Sequence, residues 1–139
     1  MTLLEIVDAL ETIGLEQPLV LSTGEGNIYD YMDTNPSVKY GVFFITQGTH
    51  IEYEDHDDYT FTLFYVDRLE DNDANRLRVQ SYGKQILSNI ITTFCTDYDI
   101  DFPEITYTPF TQKFQDLCAG VYCDVVLEVY KSDICEEAY

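Results

Sequence analysis

The sequence predicts an α+β fold: a largely antiparallel sheet with long hairpins, packed against two α-helices. Three observations predict it. Leu3 to Ile13 and Ala74 to Phe94 carry apolar residues at the three- and four-residue spacing of a helix. Tyr59 to Arg68 and Val121 to Tyr130 follow the two-residue period of a strand. The order of elements is helix, two short strands, a long hairpin, a long helix and a second long hairpin. A chain of 139 residues is one domain, 1–139.

At the start, Thr2 and Glu5 fit a capping box with Thr2 as N-cap. The helix that follows carries Leu3, Ile6, Val7, Leu10 and Ile13 as its apolar stripe, and Gly14 is expected to terminate it. From Pro18 to Met32 the pattern weakens. Leu19 to Leu21 is a short apolar run, Ser22 to Asn27 has turn chemistry, and Ile28, Tyr29 and Tyr31 read as a short strand. Gly24 and Gly26 form no phosphate loop, because no Lys-Ser/Thr follows them. Asp33 to Ser37 reads as a loop.

Tyr40 to Thr46 is a strand, Gln47-Gly48 a turn or bulge, and His50 to Glu54 a pairing strand. Tyr59 to Arg68 becomes apolar on both faces toward its end, as a covered central strand does. The polar turn Leu69 to Asn72 follows, and Asp71 or Asp73 is placed to cap the next helix. That helix runs from about Ala74 to Phe94, with Leu77, Ile86, Ile90 and Ile91 on its stripe beside Leu87 and Phe94. At 1.5 Å per residue it spans roughly 30 Å, the width of a small domain.

Thr96 to Pro103 is an acidic connection. Glu104 to Lys113 is a strand that Pro109 confines to an edge or a bulge. Phe114 to Gly120 is a turn region, Val121 to Tyr130 the last strand, and about 131–139 a loose acidic tail.

Composition narrows the function classes. The 45% hydrophobic content argues against disorder. No run of 18 apolar residues exists, so no membrane helix is expected. Met1 to Gly14 contains Glu5, Asp8 and Glu11 and no basic region, unlike a secretory signal, so folding in a cytoplasm is expected. Cys95, Cys118, Cys123 and Cys135 lack CxxC spacing and read as free thiols. Seven Lys and Arg against 26 Asp and Glu give a net charge of −19. Such a surface repels duplex DNA; it suits solubility, an acidic channel lining or nucleic-acid mimicry.

Little in the sequence supports catalysis. There is no Ser/His/Asp set, serine elbow or Walker loop. Cys118 or Cys123 with a distant His is the one nucleophilic pairing the composition offers. Glu54 to Asp58, with His50, Glu52 and His56, has ligand types that suit a divalent cation. It lacks EF-hand spacing and a second His at i+4, so it reads as a solvated, charged hairpin tip. No cofactor, metal or catalytic residue is assigned.

The scarce cations are uneven. Arg68, Arg76, Arg78 and Lys84, four of the seven, lie within the strand–helix unit from Asp58 to Phe94. The residues proposed for subunit contact are Arg68, Arg76 and Arg78 on one side and Glu52, Glu54, Asp55, Asp57 and Asp58 on the other. Ordinary pairing of the arginines with Glu70, Asp71 and Asp73 is the competing reading.

The segments FTLFYVDRLEDNDANRLRVQSYGKQILSNII (Phe61 to Ile91) and ITYTPFTQKFQDLCAGVYCDVVL (Ile105 to Leu127) carry a resemblance. Their order is strand, long helix, then a strand pair with a Phe…Ala-Gly turn. The pattern resembles tail-completion or tail-terminator proteins of tailed phages of gut Bacteroidales, with the neck rings of crAss-like phages as the most specific setting. The resemblance implies a structural, non-enzymatic virion protein. Copies would form a homo-oligomeric ring, six- or twelve-fold, in the neck, after assembly in the host cytoplasm. The ring would contact neighbouring portal, connector and tail proteins, and DNA would pass through its lumen without sequence-specific binding or any membrane. The alternative is a small acidic phage inhibitor that mimics DNA and occupies a host nucleic-acid-binding protein.

Overall fold

The structure is a computed structural model that describes residues 1–34, 38–114 and 116–131, with the side chain of Asn72 left aside. The proposed loose tail beyond Lys131, with Cys135, and the last three residues of the expected 33–37 loop lie outside the described residues.

The fold is α+β. Five strands form one sheet: β1 (Ser22–Glu25), β2 (Val42–Glu52), β3 (His56–Arg68), β4 (Thr106–Lys113) and β5 (Leu117–Tyr130), in the order β1-β2-β3-β5-β4. All neighbours pair antiparallel except β1, which lies parallel to β2. Three helices complete it: α1 (Leu3–Leu15), α2 (Ile28–Thr34) and α3 (Arg76–Asp97).

α1 begins as expected. The Thr2 hydroxyl accepts from the Glu5 N–H, and the Thr2 N–H donates to the Glu5 carboxylate. The helix passes through Gly14 and stops at Glu16. Gly14 is there for closeness: a Cβ would sit 2.5 Å from Cδ2 of Phe43 in β2.

The weakly patterned region differs from expectation. Ser22 to Glu25 pairs as strand β1 rather than turning. Ile28 to Tyr31 belongs to helix α2, because the Asn27 carboxamide oxygen accepts from the N–H groups of Tyr29 and Asp30 and starts a helical turn. Ile28 and Met32, four apart, are its buried positions.

β3 is the central strand, paired with β2 on one side and β5 along its whole length on the other. The expected irregularity at Gln47-Gly48 is a register shift between Gln47 and His50. β4 is an edge strand, which is where Pro109 is tolerated.

The sheet faces are covered unequally. On one, Phe43, Phe61, Leu63, Tyr65, Val121, Cys123 and Leu127 pack against α1 and α3. On the other, α2 covers one end only, over Val42, Phe44, Val66 and Cys118.

α3 also starts differently from expectation. Asp71–Asp73 form a 3-10 turn, and Asn75 precedes the helix. The Asn75 side chain donates to the Arg68 carbonyl and accepts from the Glu70 N–H, so it fastens the turn to β3 instead of capping α3. The buried stripe is Val79, Gly83, Ile86, Leu87, Ile90, Ile91 and Phe94. Leu77 is not part of it and is 73% exposed. Counting back from Ile86 at helical spacing reaches Gly83 and Val79, which puts Leu77 on the opposite side.

Candidate interaction surface

β3 fixes the geometry of the proposed contact residues. Thirteen residues at about 3.3 Å each separate its two ends by about 40 Å. Arg68 closes one end, and the acidic residues from Asp55 to Asp58 gather at the other.

At the Arg68 end, Arg76 and Arg78 occupy the first turn of α3, which contains no acidic residue. Cations are disfavoured there, because the helix dipole is positive at its N-terminus. The partners within the chain are modest. Arg78 reaches Glu70 at 3.4 Å, Arg68 reaches Asp116 at 3.9 Å, and Arg76 donates to Gln80 at 3.3 Å. Pairing of the arginines with Glu70 is thus real, but Asp116, not Asp71 or Asp73, is the other carboxylate. Arg68 and Arg78 remain more than half exposed. Exposed Leu77 lies between Arg76 and Arg78 in sequence and adds apolar surface to the charge.

The other end is not simply a hairpin tip. The turn is short, with the Tyr53 N–H donating to the His56 carbonyl. Glu54 and Asp55 are exposed on it. His56, Asp57 and Asp58 are already strand residues, half-buried, because β5 runs on to Tyr130 and pairs with them. Strand alternation divides the group. Asp58 shares the open face with His56 and Glu128, whereas Asp57 points the other way and lies opposite Glu52 and Val129. Glu52 is paired with Lys131 at 3.0 Å.

Between these ends, the open face carries an aromatic platform. The Phe64 ring lies 6.4 Å from Phe110 at 87°, 5.8 Å from Tyr122 and 6.4 Å from Phe44. Phe64, Phe110 and Tyr122, with Ile28, Tyr29 and Phe114, line a largely apolar pocket of about 300 Å³. Its charged lining residue, Asp124, accepts a 2.6 Å hydrogen bond from Thr62. Such a pocket offers mainly apolar burial. The sequence reading missed it, because Phe64, Phe110 and Tyr122 meet only through the β3-β5-β4 register.

No family model and no curated protein matches the chain. The reading of its surface therefore rests on its own geometry.

That geometry separates the one nucleophilic pairing the composition offered. Cys118 lies opposite Arg68, and His56 lies opposite Tyr130, at the two ends of β3. Cys123, opposite Leu63, is seven strand positions from His56, about 23 Å, and His50, opposite Tyr59 on the far side of β3, is four positions along and two strands across from Cys123, roughly 16 Å. Burial pushes the Cys118 thiol up to about 11 and the Cys123 thiol up to about 12, so both stay protonated at neutral pH.

Proposed function

We propose that the chain is a structural subunit of a phage head-to-tail connector. Copies close into a ring, six- or twelve-fold, that joins portal and tail around the DNA path in the virion neck after assembly in the host cytoplasm. The role is non-enzymatic. The observation that carries this reading is the placement of basic and acidic surface at opposite ends of β3, about 40 Å apart. Such ends do not meet within one copy. They meet between copies in a head-to-tail contact, the type that closes rings. The half-covered sheet adds apolar surface that a neighbour can bury. A net charge of −19 gives the lumen a wall that repels DNA and lets it slide.

Paired charge reversals test it. A variant with Arg68, Arg76 and Arg78 changed to Glu is expected to lose self-association. So is one with Glu52, Glu54 and Asp57 changed to Lys. Mixed in equal amounts, the two present complementary ends and are expected to assemble. If each variant assembles alone as the parent does, or if the mixture stays monomeric with the parent assembling, the contact is not this one.

A further inference from the structure

Asp58 and Glu128 sit directly opposite each other across the β3–β5 ladder, on the open face of the sheet. Two like charges in that position destabilise a sheet. His56 stands two residues before Asp58 on the same face. One ligand atom from each of His56, Asp58 and Glu128 lies within 4.8 Å of the others, and all three residues are half-buried.

The groups around them orient the cluster. The His56 ring stacks on Tyr53, with centroids 4.5 Å apart and planes at 14°. Its Nδ1 is 2.7 Å from Asp55 Oδ1. With the proton on Nδ1, donated to Asp55, the lone pair of Nε2 is turned toward the cluster. This is the carboxylate–histidine arrangement found behind metal-ligating imidazoles. The Tyr130 hydroxyl donates to Glu128 Oε1 at 2.6 Å and holds that carboxylate in turn. Asp58 Oδ1 is buried and has no hydrogen-bond partner. His56 Nε2 stands 3.6 Å from it. That is too long for a hydrogen bond. It is close to the separation of about 3.4 Å that two ligands take when each lies about 2.05 Å from a tetrahedral zinc ion.

We propose that His56, Asp58 and Glu128 form a binding site for a first-row divalent cation of the zinc class. One imidazole nitrogen and two carboxylates suit such an ion. Calcium and magnesium take oxygen ligands, so the imidazole nitrogen in the set disfavours both. The ion neutralises the opposed carboxylates, satisfies Asp58 Oδ1 and ties the turn end of the β2–β3 hairpin to the end of β5. A fourth position stays open to water or to a ligand from a neighbouring molecule.

The chain has only two histidines, which makes the test direct. Zn²⁺ is titrated into the full chain while the imidazole proton resonances are followed. The expected result is that the His56 signals move and saturate at one equivalent, the His50 signals stay in place, and excess Ca²⁺ reverses nothing. Glu128→Gln and Asp58→Asn are each expected to weaken the response at least tenfold. If both histidines respond alike, or Ca²⁺ displaces Zn²⁺, the ion is held by general surface charge and the site is refuted. Binding at thiols, which leaves both histidines unmoved, refutes it as well. The parent titration stands on its own should either variant fail to fold.

Discussion

Asp58 and Glu128 face each other across the β3–β5 ladder, with His56 Nε2 3.6 Å from Asp58 Oδ1. Their repulsion is a cost built into the free protein. In chelator-treated protein, Glu128→Gln is expected to stabilise the fold by about 0.2–1 kcal/mol. The gain is expected to shrink as salt is raised, since screening weakens the repulsion it removes. Denaturant melts at two ionic strengths check this. A loss of stability in low salt would mean that Glu128 is held by its Tyr130 bond more strongly than it is repelled.

The two leucines of α3 separate folding from assembly. Leu87 is fully buried, and Leu87→Ala is expected to cost about 2–5 kcal/mol in a denaturant melt. Leu77 is 73% exposed beside Arg76 and Arg78, and Leu77→Ala is expected to stay within about 0.5 kcal/mol of the parent. The same Leu77 variant is expected to weaken self-association, as read by sedimentation. Equal stability losses for both would place Leu77 in the core.

The contrast between those leucines also shows what the sequence could and could not disclose. Elements with an uninterrupted period were legible from the residues alone: the Thr2–Glu5 cap, the β3 alternation, and Pro109 on an edge. The α2 segment was not, because a seven-residue helix started by the Asn27 side chain carries too few positions to show a period. Leu77 does not show its direction because two and a half turns of helix separate it from Ile86, and only Val79 and Gly83 between them reveal the stripe's true direction. The cation site was half legible. His56 and Asp58 drew attention, but the third ligand, Glu128, lies seventy residues on and arrives only through strand register.

The Asp55–His56 pair makes stability depend on pH. The hydrogen bond from His56 holds the Asp55 carboxyl below its usual range, and the same bond raises the His56 imidazole above its own. The His56 contribution is therefore complete below its unfolded value of about 6.5 and is lost as pH rises through the raised folded value. The Asp55 contribution is complete above its unfolded value of about 3.9 and is lost as pH falls through the lowered folded value. Without metal, the stability difference between the parent and His56→Ala is expected to be greatest between those limits and to narrow in alkali. Urea melts across that range check it. A difference that keeps widening as pH rises above about 6.5 would contradict the pairing.

The buried thiols predict slow chemistry. Cys95, Cys118 and Cys123 are buried and free, and burial raises the pKa of each. Labelling of these three by a thiol reagent at neutral pH is expected to wait on opening of the fold. Peptide mapping after timed labelling checks it. Rapid modification of Cys118 or Cys123 in folded protein would show that β5 opens freely.

The central claim is that the chain is part of a particle. Under the proposed phage-connector role, quantitative mass spectrometry of purified gut-phage virions, searched for this chain, tests this most directly. The account predicts that the chain is present at a fixed ratio to the portal protein, consistent with a closed ring. Abundant chain in infected cells with none in purified particles would contradict it and would favour the soluble DNA mimic.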